Sequence, residues 1–474
     1  MKGWCGFQLS VMWRDQRGLG AGADGPLAAS GKRRRDAGAN AAALSRRRFL
    51  TRATRLGVGA VVLPQIVAPA VLGRAGVTAP NSRILMGCVG VVGQGTRGMA
   101  GGIWAPAGGF IGRAEVRVVA VCDVNQRNRE NARRIVNERY GNQDCGVYHD
   151  FRELLARPDI DACLIATGER WHPHLGSAAA RAGKDVYCEK PSSVTIAEVL
   201  ACRAAVRRYG TVFQVGTQQR SSYAFRFACE LVRNGYIGEL REVVVAVGGP
   251  PQHRECDLPA EPAPDWLDYD LWLGPAPWRP YNSAYVGAWM AYRDLSGGEM
   301  TNWGAHHFDI AQWGMGMDES GPVDIIPPDG REYKVLTYHY ANGVRLTRDP
   351  ERMARECGQD NGVMFFGTTG KVAVWRYSVR TWPEPLVRQK IGPNEVHLHA
   401  ADNHHTDFVN SIRTRSRPGA DIAIGARSIT VAHLGNIAYD LGRPVKWDPA
   451  RERFVNDPVA DRFFARHLRS PWHT

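Results

Sequence analysis

Long apolar runs are nearly absent from this 474-residue chain. The one extended stretch, Leu56 to Leu72, is only weakly apolar and is broken by Gly57, Gly59, Pro64 and Pro69. A polytopic membrane protein is therefore excluded. Heptad and collagen periodicities are missing as well. Cysteine is present ten times, but no two cysteines have C-x-x-C spacing and none sits at a Cys/His metal spacing, which speaks against a zinc module or a metal site of that type. Cys88, Cys122, Cys163 and Cys188 lie in apolar, strand-like runs and read as small buried thiols, without a disulfide framework. His404 and His405 are adjacent in a helical stretch and point apart, so no metal is expected there either. Acidic residues are scarce at the N-terminus, where residues 1–80 carry 13 Lys and Arg against 3 Asp and Glu; the rest carries 47 against 44. The net charge of +13 thus belongs to a leader. No basic stripe with interleaved aromatics follows it, so a nucleic-acid partner is not expected.

What is present begins with a targeting pattern. Ser45-Arg46-Arg47-Arg48-Phe49-Leu50 precedes the weakly apolar stretch and reads as a twin-arginine signal, with the twin-arginine translocase as partner and a periplasmic or extracytoplasmic destination. The interrupting prolines and glycines favour cleavage over an uncleaved anchor. Because that route carries folded proteins, a cofactor would be held tightly or regenerated in each turnover.

The expected organisation is a leader over 1–80, a dinucleotide-binding domain over 81–216 and an α+β domain over 217–474. Ile84 to Val92 is a continuous apolar run suited to a buried parallel strand. Gly93-Gln94-Gly95-Thr96-Arg97-Gly98 follows it as G-x-G-x-x-G. In that register Gly93 makes the tight turn, Gly95 admits a pyrophosphate and Gly98 lets helix pack on strand. A second strand, Val116 to Cys122, ends in Asp123, a carboxylate placed to bind the adenosine ribose. It favours NAD and disfavours NADP, with Arg127 and Arg129 as the nearby cations. Further strands are expected at 161–166, 185–188 and 212–216, and helices at 125–140, 171–182 and 194–208. The fold class is therefore α/β, a doubly wound parallel sheet with ligands at its C-terminal strand ends.

The strand ending at Tyr187-Cys188 runs into Glu189-Lys190-Pro191, and a later segment reads Gly297-Gly298-Glu299-Met300-Thr301-Asn302-Trp303-Gly304-Ala305-His306-His307-Phe308-Asp309. With the glycine loop and Asp123, these motifs resemble the Gfo/Idh/MocA oxidoreductases from about Asn81 to the C-terminus. The resemblance implies a C-terminal domain on an open, mostly antiparallel sheet that carries substrate and often homo-oligomer contacts. Plausible strands of that sheet are 240–248, 333–340, 361–367 and 370–377. It also implies a helical region over 402–441 near the domain junction. Residues 250–280, rich in Pro and Trp, read as a long ordered loop.

Lys190 follows a buried strand at the ligand edge, where a cation polarises a substrate hydroxyl. By resemblance it touches both substrate and cofactor. Asn302, His306 and Asp309 fall at i, i+4 and i+7 of an expected helix and share one face. His306 is suited to take the hydroxyl proton, and Asn302 and Asp309 to bind substrate. Many relatives carry Asp where this chain has Asn302, which keeps a hydrogen bond and loses a charge. Thr167, Trp171, His172, Glu189 and Gln218 are expected at the cofactor, and Arg220 and Tyr292 at the substrate. The function expected is an exported NAD-dependent oxidoreductase acting on a CH–OH carbon of a sugar, cyclitol or glycoside. The alternatives are a redox-neutral glycosidase, lyase or isomerase with tightly bound cofactor, and a non-catalytic sugar-binding protein on the same fold.

Overall fold

The computed structural model describes residues 82–102, 108–251, 257–401 and 403–472. The twin-arginine pattern and the Leu56 to Leu72 stretch lie outside them. Among the described residues no helix is long and apolar enough to cross a membrane.

The first sheet has six strands: β1 (Ile84–Val89), β2 (Val116–Cys122), β3 (Gly146–Tyr148), β4 (Ala162–Ile165), β5 (Asp185–Cys188) and β6 (Phe213–Val215). They pair in parallel in the order β3-β2-β1-β4-β5-β6, the doubly wound arrangement with its switch point between β1 and β4. Strands β4 to β6 are buried along their whole length, because helices cover both faces. The helix Gln126–Tyr140 shows why sequence and structure agree here. Asn125 caps it by accepting from the Arg127 and Asn128 amides, and Gly141 stops it in the left-handed conformation at φ 65°. The three-residue β3 was not foreseen; it is too short for a periodic signal.

The second sheet is mixed and mostly antiparallel. It contains β7 (Leu240–Ala246), β8 (Asp324–Ile326), β9 (Thr337–His339), β10 (Arg345–Arg348), β11 (Gly362–Gly367), β12 (Lys371–Trp375), β13 (Ser378–Trp382), β14 (Val445–Asp448) and β15 (Arg453–Phe454). Their order is β13-β12-β11-β7-β10-β9-β8-β14-β15, with β7 and β10 as the parallel pair. The expected strand over 333–340 shrinks to β9, and β8, β10 and β13 to β15 were not foreseen. The region 402–441 is helical in two pieces, His404–Thr414 and Ile422–Leu441. Within the expected loop over 250–280, Tyr269–Leu273 is helical, capped by Asp268.

The eight described cysteines are free and buried. Seven of the described histidines are buried. Burial pushes His172 and His404 down to about 4, and His307, His405 and His433 down to about 3. These rings titrate lower in the folded than in the unfolded chain, so their stabilisation is present above pH 6.5 and lost as pH falls toward those values. Glu169 and Glu189, pushed up to about 7 by burial, act oppositely, their contribution fading as pH rises toward 7. His174 and His306 are lowered in the same way, and Asp123 and Asp309 raised, so that seven rings outweigh four carboxyls. The urea midpoint is expected to fall on going from about pH 7 to about pH 5, and equilibrium unfolding at the two values checks it. An unchanged or higher midpoint at the acid value overturns the assignment of neutral buried rings.

Candidate active site

The glycine cradle sits three residues earlier than the sequence register suggested. β1 ends at Val89, and Gly90 turns the chain at φ +78°, where an added Cβ would lie 2.6 Å from the Ala166 carbonyl oxygen. The helix begins at Gln94, and a Cβ on Gly95 would lie 1.9 Å from the Gly90 carbonyl oxygen. Gly90 therefore makes the turn and Gly95 allows the helix–strand approach. Gly98, given that second role from sequence, faces only the Leu164 side chain at 3.3 Å. The middle position is Val92, 55% exposed. Thr96 Oγ1 donates to the Val91 carbonyl at 2.8 Å and so ties the helix to the turn, while Arg97 points to Gln94.

Asp123 lies at the end of β2, buried, with its carboxylate accepting from the Val91 amide at 3.0 Å and the Asn125 amide at 2.8 Å. Burial pushes its pKa up against these hydrogen bonds. The two neighbouring arginines are committed elsewhere. Arg129 donates to the Asp123 carbonyl, and Arg127 stacks over Trp266 at 4.5 Å. A 2′-phosphate would meet the Asp123 carboxylate. A cleft of about 510 Å³ joins Asp123, the Gly90–Gln94 turn, Thr167 and Trp171. A tight turn at Gly90, a helix N-terminus at Gln94 and a carboxylate one strand away fit a dinucleotide, with Val92 in place of the glycine that lets backbone approach the pyrophosphate.

The reactive groups lie beyond this cleft, and Gln94 connects the two. Its Nε2 reaches Glu189 Oε1 at 3.4 Å, and Gln218 Nε2 donates to the same oxygen at 2.8 Å and to Tyr187 Oη at 3.1 Å. Gln218 thus orients Glu189. The Lys190–Pro191 bond that follows is cis. His172 binds the loop from behind, Nδ1 to the Pro191 carbonyl at 2.6 Å and Nε2 to the Thr167 carbonyl at 3.0 Å. Both partners are acceptors and a neutral ring carries one N–H, so one of these contacts is a hydrogen bond, set by the tautomer. His172 is therefore a brace between the two loops; Thr167 and Trp171 line the cleft.

Lys190 Nζ donates to Asn302 Oδ1 at 2.5 Å and to the Asn302 carbonyl at 3.2 Å. Burial lowers its pKa, and the charges of Glu189 and Glu169 oppose that. Asn302 is the C-terminal residue of the helix Gly298–Asn302, and Trp303 separates this from the helix Gly304–Met315. The single helix expected over 302–309 is thus two. Asn302 Nδ2 donates to Glu299 Oε2 at 3.2 Å. The amide serves Lys190 with its oxygen and Glu299 with its nitrogen; an Asp would set like charge against Glu299.

His306 is buried with Nδ1 unpaired among the described residues, its ring tilted 57° on Trp303. Burial, then the charges of Lys190 and Arg376, hold it well below the usual histidine range. The expected substrate contacts Arg220 and Asp309 are corrected. Arg220 Nε pairs with Asp309 Oδ2 at 2.7 Å and its Nη2 with Asp318 at 2.7 Å, while Ser428 donates to Asp309 Oδ1 at 2.6 Å. Both are buried and close an internal ion pair. Such a pair holds structure because breaking it leaves a bare buried charge. Tyr292 is likewise buried, edge-on to Tyr285 at 5.0 Å.

Glu169 was missed. It is buried, and it accepts from the Gly297 amide at 2.9 Å and from Thr301 Oγ1 at 3.4 Å. It thereby pins the start of the Asn302 helix to the loop after β4. Only its position two residues after Thr167 hinted at it.

The glycine register yields a test. Gly95→Ala is expected to cost about tenfold or more in NAD affinity, and Gly98→Ala to bind almost as the parent. Calorimetric titration with NAD measures both, and the reverse order would restore the sequence register.

A model for an oxidoreductase family with an NAD-binding Rossmann fold matches residues 88–217. One for the C-terminal alpha/beta domain of such a family, GFO_IDH_MocA_C2, matches residues 252–474. The chain is 26% identical over 262 residues to a myo-inositol 2-dehydrogenase of Thermotoga maritima, covering 53% of this chain and 66% of that protein. It is 30% identical over 169 residues to a glycosyl hydrolase family 109 protein of Shewanella sp. (strain ANA-3), covering 32% of this chain and 33% of that one. The chain thus spans two thirds or less of the curated relatives it matches. A scyllo-inositol dehydrogenase from Lactobacillus casei, solved with NAD(H) and scyllo-inositol, has the same fold, with a TM-score of 0.52, 16% identity, and coverage of 77% of this chain and 99% of that one. From the paired domain matches, the six-stranded parallel sheet and the mixed second sheet, the chain belongs to the Gfo/Idh/MocA oxidoreductase family and carries its NAD-binding domain.

Proposed function

We propose that this protein is exported by the twin-arginine route and transfers hydride between NAD and a hydroxyl-bearing carbon of a sugar, cyclitol or glycoside, as a homo-oligomer. The observation that carries the reading is the Lys190–Asn302 contact, which holds a half-buried ammonium at the ligand edge of the NAD-binding sheet. An ammonium has three donors; two go to Asn302, and the third serves a substrate oxygen. Its charge stabilises that oxygen as it becomes an alkoxide. His306, which burial and its neighbouring cations make a weaker base than a free imidazole, is the group that takes or returns the hydroxyl proton in this reading. Glu189 and Glu169, both near 7, adjust the charge around Lys190 across the neutral range. NAD, held by the Gly90–Gln94 turn, Asp123 and Thr167, supplies the hydride acceptor when bound.

A second reading, a redox-neutral glycosidase, lyase or isomerase, is favoured by Asn302. Without a carboxylate beside Lys190 at that position, positive charge near His306 is less compensated, which favours holding an oxyanion over storing a proton. The glycosyl hydrolase name of one relative agrees with it. Twin-arginine export also suits a cofactor that finishes each turnover as it began.

Absorbance at the NADH band against a panel of inositols, aldoses and glycosides separates the readings. Net NADH with a cyclitol or sugar supports the first; glycoside cleavage without net NADH supports the second. Lys190→Met is expected to cut kcat by roughly 10²-fold or more while leaving NAD content unchanged. A variant with parental turnover removes Lys190 from the mechanism, and a parent that turns over nothing while still binding sugars supports a non-catalytic protein.

A further inference from the structure

The cofactor cleft has two walls from different parts of the chain. One is the glycine turn with Asp123, Val124, Asn125 and Asn128. The other comes from the segment 257–295 of the second domain, through Trp266, Leu267, Leu271, Trp272, Val286 and Trp289. This strap is docked largely through backbone groups. The Gln126 amide donates to the Trp266 carbonyl at 2.8 Å, and the Asp268 amide to the Val124 carbonyl at 3.1 Å. Asn125 and Leu267 form an antiparallel bridge. Trp171 Nε1 donates to the Leu271 carbonyl at 2.9 Å, and His149 Nε2 meets Asp268 Oδ2 at 2.8 Å. These contacts cross the chain directly after Asp123, where the adenosine end of a dinucleotide is expected.

Two features show that this wall faces a ligand. Trp266, Trp272 and Trp289 are only half-buried and line the cleft. Arg170, which also lines the cleft, is buried with its Nε and Nη2 spent on the Trp272 and Leu273 carbonyls, and burial lowers its pKa to about 9. Its hydrogen bonds all run to carbonyls of the strap, so an anionic group in the cleft would supply charge compensation and fasten the strap in the same contact.

We propose that the 257–295 strap is the adenosine-side wall of the NAD site and makes NAD a resident group, exchanged only when the strap undocks from residues 124–126 and 171. The inference rests on NAD binding and is independent of which substrate is used. Retention follows from topology. A ligand under a strap held by four hydrogen bonds, two of which form the Asn125–Leu267 bridge, leaves no faster than those contacts open together.

The test uses the chain purified without added nucleotide. Bound nucleotide is released by denaturation and quantified, and its exchange is followed after a chase with NADH by energy transfer from tryptophan. Nucleotide that co-purifies and exchanges over minutes or longer is expected. Trp266→Ala and Trp272→Ala are expected to speed exchange about tenfold or more. Trp278→Ala, on the strap but 66% exposed and outside the cleft lining, is expected to leave it unchanged. Should the variants misfold, hydrogen exchange on the parent decides, because NAD must then protect the amides of 257–295. NAD that binds and exchanges within seconds, or binds without protecting the strap, overturns the proposal. A chain that binds no NAD at all overturns the cofactor reading as well, and the titration shows which has failed.

Discussion

A lysine ammonium held partly out of water is the constraint on which this site depends. Lys190 sits where the parallel sheet opens toward ligand, and a charge there survives burial only if acceptors reach it. They come from Asn302, 112 residues later in the chain. The contact therefore joins the dinucleotide-binding sheet to the second domain. The neighbouring carboxyls fall into place around it. Glu189 is turned by Gln94 and Gln218, and Glu169 holds the start of the helix that delivers Asn302. Each of these groups is shifted toward neutrality by burial, so the site carries groups poised to change charge near pH 7.

Asn302 shows how such a constraint reads as a departure in sequence. Taken alone, an amide in place of the usual carboxylate looks like a lost charge. In the fold the amide answers two neighbours of opposite sign, Lys190 and Glu299. An Asp has no N–H for the second. Asn302 meets both at once, with Glu299 one helical turn earlier, while burial keeps His306 neutral among cations.

The glycine loop and the helix after Trp303 mark the limits of pattern reading. Two overlapping glycine spacings occur between Gly90 and Gly98, and spacing does not say where the strand ends. The backbone does: Gly90 leaves β1, and Gly95 meets its carbonyl oxygen. Likewise the i, i+4, i+7 stripe assumed one continuous helix. The break at Trp303 sends Asn302 toward Lys190, while Asp309 turns into the core against Arg220 and Ser428.

The sequence by itself determined the parallel sheet, its NAD-binding glycine loop in outline, Asp123, and Lys190 at the ligand edge. Those features are local. Buried parallel strands are continuous apolar runs, and caps such as Asn125 and Gly141 stand next to what they cap. Tertiary structure alone decided the rest. The short strands β8, β14 and β15 exist only because neighbours pair with them. Arg220 became a core ion pair because carboxylates 89 and 98 residues away point at it. The Pro- and Trp-rich segment became a wall of the cofactor cleft because its backbone donors and acceptors are satisfied on Val124 and Gln126. Such pairings leave no periodic trace in the chain, since their partners are distant in sequence and meet only when both domains are folded.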